Sequence, residues 1–328
     1  MLLPMENITL VGLGTIGLSF ASVHLRTSNT SIVTIFDPRP DLATILDPLL
    51  AVHGRERIRL ASTLAEACDG RTHLVQESGP ENAEWKTALW PEVEALVGER
   101  CHLWSSTSGI PASIQAAGMK DPGRLLVVHP FNPPAIMPLI EIAPGPDTPE
   151  VAVEVARDFW ERVGYRPVVI EEETTGFVAN RLAFALFREA CALVRKGVVS
   201  VRDVDTIVEN SVGLRWGVRG PFRSYHDGGG EGEKGGLRAF LEKVGGTVRS
   251  LWAEGGGDVE AGWEELVIWQ TEEAYGDIAQ ESLDERDRIT RRVLEAIRGE
   301  RELIEVENAE KRRAEAEAEE LSRREGEL

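Results

Sequence analysis

Over the first 170 residues, short runs of β-branched and large apolar side chains alternate with longer stretches whose apolar positions recur every three or four residues. The short runs, at residues 8–11, 31–36, 73–76, 102–105, 125–128, 139–142 and 167–170, predict strands; runs of this length suit positions buried on both faces of a sheet. The longer stretches, such as 83–96 and 151–163, predict helices. Strands separated by helices imply βαβ crossovers, and hence an α/β domain with a mostly parallel sheet. The texture changes after Glu171-Glu172-Glu173. From 175 to 196, Phe177, Phe184, Phe187, Cys191 and Val194 recur with helical period, and helical patterns follow at 201–210, 236–243, 263–273 and 284–298. The expected organisation is an α/β domain at 1–171, an all-helical domain at 172–300 and a charged tail at 301–328. The glycine-rich stretch 228–236 reads as a flexible loop. The last 28 residues, with ten acids and six bases, read as a solvated helix or a frayed tail.

Composition narrows the function classes. Of 328 residues, 42% are hydrophobic, enough for a sizeable core, which excludes global disorder. Fifty-five acids against 36 bases leave a net charge of −19 with no segregated basic block, so no nucleic-acid partner is expected. No apolar run approaches the ~18 residues of a membrane span. The start, Met1-Leu2-Leu3-Pro4-Met5-Glu6, lacks the basic residues and apolar core of a signal peptide. Cys68, Cys101 and Cys191 form neither a disulfide framework nor a zinc pattern, and are expected as buried thiols. The expectation is a cytoplasmic protein acting on a small molecule, with no metal.

The sharpest motif is Val11-Gly12-Leu13-Gly14-Thr15-Ile16-Gly17, placed between a predicted strand and a helix-like stretch. Gly12 permits the tight turn, Gly14 lets a pyrophosphate approach the backbone, and Gly17 lets the helix pack close to the strand. Amides at the helix start, at Thr15, Ile16 and Gly17, then face the phosphates with the helix dipole behind them. Asp37 ends the second strand 20 residues after Gly17, where its carboxylate can accept from the adenosine ribose hydroxyls. The bland alternative, a glycine turn followed by a capping aspartate, explains neither flanking strand. A Rossmann-type, doubly wound domain is expected, with NAD preferred over NADP because Asp37 repels a 2′-phosphate. Nearby Arg39 works against that preference.

Polar residues then collect at predicted strand ends: Gln76-Glu77-Ser78, Ser105-Ser106-Thr107-Ser108 and His129-Pro130-Phe131-Asn132-Pro133-Pro134. In open α/β sheets, ligands bind beyond the carboxyl ends of the strands. Glu141 lies 12 residues past His129, and the proline-rich connection allows its strand to fold back and bring carboxylate to imidazole. A carboxylate on one ring nitrogen fixes the tautomer and leaves the other nitrogen to abstract a proton. A lone histidine is more often a satisfied structural residue; this strand-end setting favours function. Asn180 is an amide on an apolar helical stripe, expected either to hydrogen-bond the loop below it or to reach across a cleft.

Taken together, Gly12/Gly14/Gly17, Val75-Gln76-Glu77-Ser78, Ser105-Ser106-Thr107-Ser108, the His129 motif, the 176–181 segment and Gly220-Pro221 resemble the 3-hydroxyacyl-CoA dehydrogenase family in order and spacing. The likeness leans toward its branch containing L-gulonate 3-dehydrogenase and λ-crystallin. The resemblance implies that His129 is the catalytic base and Glu141 its partner, that Ser108 and Asn180 bond the substrate oxygen and the imidazole, that Glu77 lies beside the cofactor, and that the helical domain makes a homodimer. Two departures bear on substrate. The stretch between Asp37 and Glu77 is shorter than in the acyl-CoA enzymes and has no lysine, although Arg55, Arg57 and Arg59 lie within it. Conversely, Arg215 in Gly213-Leu214-Arg215-Trp216 resembles the gulonate and carnitine dehydrogenase branches, and a guanidinium fork suits a free carboxylate. An ordinary surface ion pair is the bland reading of Arg215. The expected activity is NAD-dependent oxidation of a small L-3-hydroxy acid to a 3-keto acid. The alternatives are a short-chain 3-hydroxyacyl-CoA dehydrogenase of fatty acid metabolism and a non-catalytic, crystallin-like NAD-binding scaffold. A scaffold needs none of His129, Glu141, Ser108 and Asn180. A lysine-dependent β-hydroxyacid dehydrogenase is disfavoured because Arg181 follows Asn180 and no lysine is suitably placed.

Overall fold

The computed structural model describes residues 6–28, 30–218, 220–222, 225 and 236–255, then 288, 291–293, 295–296, 298–300 and 302–313. An eight-stranded sheet is ordered β3-β2-β1-β4-β5-β6-β7-β8, formed by Asn7–Val11, Ile32–Phe36, Ile58–Ala61, Leu74–Glu77, His102–Ser105, Leu125–Pro130, Leu139–Pro144 and Arg166–Val169, numbered in chain order. The first six strands run parallel; β7 pairs antiparallel with β6, and β8 pairs parallel with β7. The order reverses between β1 and β4, the topological switch point at which a doubly wound sheet opens a crevice. The fold is α/β with a mostly parallel sheet, followed by a helical C-terminal part. Strand β3 was not among the expected strands. Its two central residues, Arg59 and Leu60, are exposed at the sheet edge, so it lacks the apolar run that marks the others.

Helices cover both faces. They are α1 Thr15–Thr27, α2 Leu42–His53, α3 Leu64–Ala67, α4 Ala83–Leu96, α5 Ala112–Gln115 and α6 Glu150–Arg162. Alternation along each strand decides which core a residue joins. Ile8, Leu10, Leu74, Trp104, Leu126, Val128 and Ile142 enter the core beneath α1 and α6. Val11, Val75, Leu103 and Leu125 enter the opposite core, with Trp90 and Val93 of α4. By the same alternation Glu77, Ser105, His129 and Glu141 all point to the α4 side, while Gln76 points to α1.

The chain divides into two compact units, Met1–Phe184 and Ala185–Leu328. Helix α7, Ala179–Arg195, crosses that division, and the second unit continues with α8 Val201–Glu209, α9 Val212–Val218 and α10 Gly236–Gly255. Cys191 and Val194 form a small cluster with Val199, Val201 and Val204. Phe177, expected on the α7 stripe, precedes the helix in a turn with φ +51°, and Phe184 and Phe187 are 64% and 51% exposed. Residues 302–313 are helical and exposed. The glycine-rich loop, apart from Gly236, and the expected helix at 263–273 lie outside the described residues. All three cysteines are buried, and among the described residues no helix is long and apolar enough to cross a membrane.

The α1-side core holds an aromatic cluster of Phe20, Trp104, Phe159, Trp160 and Tyr165 around His24, which is fully buried. His24 Nε2 lies 2.8 Å from Gln76 Oε1, and its Nδ1 has no partner. Burial pushes the imidazole down to about 4, against the opposing pull of Gln76. Unfolded histidine binds its proton near pH 6.5, so the unfolded chain binds more protons between those values and stability falls as pH drops through them. The expected loss from this one group is on the order of 3 kcal/mol. Urea midpoints measured from pH 7 to pH 4 should show a visibly flatter acid limb for His24→Phe; an identical limb would mean that His24 titrates normally.

Candidate active site

Between β1 and β4 the Gly-rich turn is built by close approach. Gly12 has φ +91°, and a Cβ there would lie 2.7 Å from the Ser78 carbonyl oxygen; a Cβ on Gly17 would collide with the Gly12 carbonyl oxygen. Around Gly14 a Cβ meets nothing within 4 Å, so the backbone there is open to an approaching group. Helix α1 starts at Thr15 and Ile16 with no acid in its first turn and no side chain capping it at Gly14. Its positive end is therefore available to an anion. The turn borders a cavity of about 740 Å³ that is also lined by Asp37, Arg39, Ser78 and Trp85. These residues fit a dinucleotide: an open turn for the pyrophosphate and a carboxylate at the end of β2 for the ribose.

Asp37 is itself engaged. Its Oδ2 accepts from the Leu13 amide at 2.7 Å and from Arg39 Nη2 at 2.9 Å; its Oδ1 accepts from the Arg39 amide and Nε at 3.0 and 2.9 Å. Burial pushes its carboxyl up, but the hydrogen bonds from Arg39 and Leu13 outweigh this and hold it below the usual carboxylate range.

At the ends of β6 and β7 the antiparallel register sets His129 directly opposite Glu141. The imidazole Nδ1 lies 2.9 Å from Glu141 Oε2. The other carboxylate oxygen accepts from the Val178 and Ala179 amides at 3.0 and 2.8 Å. Both residues are buried, and the Phe177 ring lies 5.3 Å from the imidazole. Burial raises the Glu141 carboxyl, yet the bonds from His129, Ala179 and Val178 leave it lowered, so it stays ionised beside the ring. An ionised carboxylate on Nδ1 calls for a proton on that nitrogen and directs the Nε2 lone pair outward. That arrangement can accept a proton from a hydroxyl.

Ser108 and Asn180 meet through backbone and side chain: Asn180 Nδ2 donates to the Ser108 carbonyl at 2.8 Å, and the Gly176 amide donates to the Gly109 carbonyl at 3.0 Å. The 176–180 segment thus ties the turn after β5 to the His129–Glu141 pair. Ser108 is gripped from its other side by Glu81, whose Oε1 accepts from the Ser108 amide, the Ser108 hydroxyl and the Thr107 hydroxyl at 3.0, 3.2 and 2.7 Å.

Glu77, expected beside the cofactor, is fully buried. Lys86, itself 1% exposed, bridges both of its oxygens at 2.6 and 2.7 Å, and Ser105 Oγ and the Gly79 amide take the remaining positions. The half-exposed carboxylate at this end of β4 is Glu81. Glu81, Lys86 and Phe177 were missed in the sequence reading; Glu81 and Lys86 in Pro80-Glu81-Asn82-Ala83-Glu84-Trp85-Lys86 look like the first turn of an ordinary exposed helix. Arg215 lies in the second unit, exposed on the seven-residue helix α9. Among the described residues, no group of three or more His, Cys, Asp or Glu is placed to hold a metal ion.

The chain is similar to known proteins. Residues 51–174 match the family model "3-hydroxyacyl-CoA dehydrogenase, NAD binding domain", and residues 176–248 match "3-hydroxyacyl-CoA dehydrogenase, C-terminal domain". The chain is 36% identical over 260 residues to an L-carnitine dehydrogenase of Streptomyces griseus, covering 75% of this chain and 76% of that one. A second L-carnitine dehydrogenase, of Nocardiopsis dassonvillei, is 32% identical over 326 residues, 95% of this chain and 96% of that one. Among solved structures, an NAD+-dependent 5-formyl-3-hydroxy-2-methylpyridine 4-carboxylic acid 5-dehydrogenase superposes with a TM-score of 0.76 at 28% identity, over 90% of this chain and 99% of that one. The relatives named here are L-carnitine dehydrogenases, not L-gulonate dehydrogenases specifically. With its NAD-binding and C-terminal models matched in order, and relatives aligned over most of their length, the chain belongs to the 3-hydroxyacyl-CoA dehydrogenase family.

Proposed function

We propose that this chain uses NAD to oxidise the 3-hydroxyl of a small, free L-3-hydroxy acid of the carnitine kind, giving a 3-keto acid. The His129–Glu141 pair carries the reading. Glu141 holds Nδ1, and Nε2 takes the hydroxyl proton. The Ser108 hydroxyl, which donates to Glu81 in the free protein, turns its hydrogen to the substrate oxygen, whose own proton goes to Nε2, and Asn180 fixes the Ser108 carbonyl. The bound nicotinamide supplies the two-electron acceptor at C4, and the protein's share is position and proton transfer. Asp37, which disfavours a 2′-phosphate, supports NAD over NADP. His129→Gln should lower turnover by ~10²–10⁴ with NADH binding nearly intact, and Glu141→Gln should lower it in the same direction. Stopped-flow turnover and NADH titration separate the two effects, and normal turnover in His129→Gln would remove the mechanism.

Substrate class rests on the names of the relatives and on Arg215. A free acid needs a compact pocket and one bidentate cation; a coenzyme A ester needs an extended, partly basic wall, and the stretch between Asp37 and Glu77 has no lysine. The acyl-CoA reading is favoured by the family models and by a 3-hydroxyacyl-CoA dehydrogenase of Gibberella moniliformis, 37% identical over 211 residues but aligned over only 60% of that protein. A panel of L-carnitine, L-gulonate, 3-hydroxybutyrate and 3-hydroxybutyryl-CoA, followed by NADH absorbance, decides between them. Arg215→Met should raise KM for the free acid by the equivalent of ~1.5–3 kcal/mol, one charge-assisted contact, and leave acyl-CoA turnover almost untouched. Preferred oxidation of the CoA ester, or silence of Arg215→Met on free acids, would reverse the assignment.

A homodimer through the helical part belongs to the same proposal. Leu182, Phe184 and Phe187 of α7 are each more than half exposed in the single chain, an apolar face that a second copy would cover. Light scattering should give twice the chain mass, and Phe187→Glu should shift it toward the monomer.

A further inference from the structure

We infer that Arg39 is a specificity-determining residue for the adenosine end of the cofactor, acting as a side-chain lock on Asp37. The inference rests on the reading that Asp37 selects NAD. An ionised carboxylate offers about four lone-pair positions. In this structure four donors fill them: the Leu13 amide, the Arg39 amide, Arg39 Nε and Arg39 Nη2, all at 2.7–3.0 Å. A ribose diol therefore finds no acceptor on Asp37 while Arg39 stays in place. Two of the four donors belong to the Arg39 side chain, so its departure frees two positions, matching the two hydroxyls of the ribose. The backbone donors stay and keep the carboxylate aimed.

The guanidinium can leave. Its side chain is 43% exposed against 6% for Asp37, and it is also anchored by the Leu13 carbonyl, 2.8 Å from Nη2. With its cationic partner this exposed, the pair holds less tightly than one buried on both sides. Both residues line the 740 Å³ cavity, so the displaced guanidinium stays at the edge of the same site, beside the 2′ position. There it offers a two-pronged donor to a 2′-phosphate, which Asp37 alone would repel. Arg39 thus taxes NAD, which must dislodge it, and favours NADP, which can use it. The native preference for NAD is narrower than an unaccompanied Asp37 would give.

Isothermal titration of the purified full chain with NADH, NADPH, 5′-AMP and adenosine 2′,5′-bisphosphate reads this without catalysis. Removing the lock in Arg39→Ala should tighten NADH and 5′-AMP by about two- to fivefold, the worth of an exposed pair. The same variant should weaken NADPH and the bisphosphate by about 10- to 100-fold, the loss of a charge-assisted contact. Arg39→Lys should fall between, since an ammonium cannot span both carboxylate oxygens. Melting temperatures establish that each variant is folded. The inference is overturned if Arg39→Ala leaves the NADH-to-NADPH affinity ratio unchanged, or if it weakens NADH. A native protein that binds NADPH more tightly than NADH would instead sink the reading of Asp37, and the change in ratio on removing Arg39 would still decide the role of Arg39.

Discussion

One carboxylate, that of Glu141, holds the candidate site together. One oxygen meets the imidazole of His129 and the other meets two backbone amides, of Val178 and Ala179. Three chain segments therefore converge on a single buried group: β6, β7 and the turn that leads into α7. The antiparallel pairing of β6 with β7 makes this possible, because residues opposite one another across an antiparallel ladder point to the same face. A parallel β7 would need a crossover connection and would not return the carboxylate to the histidine. The 176–180 turn adds its own constraint. Phe177 occupies the left-handed region, uncommon for a bulky residue, and in that posture buries its ring against His129 while the two following amides face Glu141.

Glu77 and Lys86 solve a different problem. Two charges have been taken out of water at the end of β4, where neither is exposed by more than 1%. Desolvation of such a pair offsets most of its attraction, and its retention says little about net stability. Its geometric effect is clearer. Glu77 bonds Lys86, Ser105 and the Gly79 amide at once, so it locks β5 and the loop after β4 to α4. Losing either charge would strand the other in a low-dielectric interior, a penalty of ~3–5 kcal/mol.

Much of this was legible in the sequence, for identifiable reasons. Strands appear as apolar runs, so seven of the eight showed themselves, including the half-exposed edge strand Arg166–Val169 through Val168 and Val169; the edge strand Ile58–Ala61, interrupted by Arg59, did not. Gly12, Gly14, Gly17 and Asp37 have fixed spacing because a strand, a turn and a helix have fixed lengths. His129 and Glu141 stood out as polar residues at the ends of apolar strands. What was hidden depends on side-chain choice among neighbours that sequence order does not distinguish. Glu77 and Glu81 are both acids beside the same strand end, and only packing shows that one is buried by Lys86 while the other reaches Ser108. The periodicity that placed Phe177 on the α7 stripe continues through the turn, so it gave no warning that the helix starts at Ala179. Arg39 was visible as a nearby charge, but its fourfold engagement of Asp37 and Leu13 is a matter of rotamer.

The segment from Gln76 to Glu81 joins the glycine turn after β1 to the turn after β5. Gln76 lies on the α1 side, accepts from His24 and donates to Ser106, which Ser78 also reaches. The Ser78 amide donates to the Val11 carbonyl, and the Ser78 carbonyl packs where a Gly12 side chain would sit. On the other face Glu77 holds Ser105, and Glu81 continues outward to Thr107 and Ser108. A short stretch of chain at the switch point thus fixes both the glycine turn and Ser108. Neither can shift without the other. The glycine turn and the turn after β5 are therefore held in register by β4 and its loop. The Arg39 side chain, 43% exposed, lies on this frame and is not part of it.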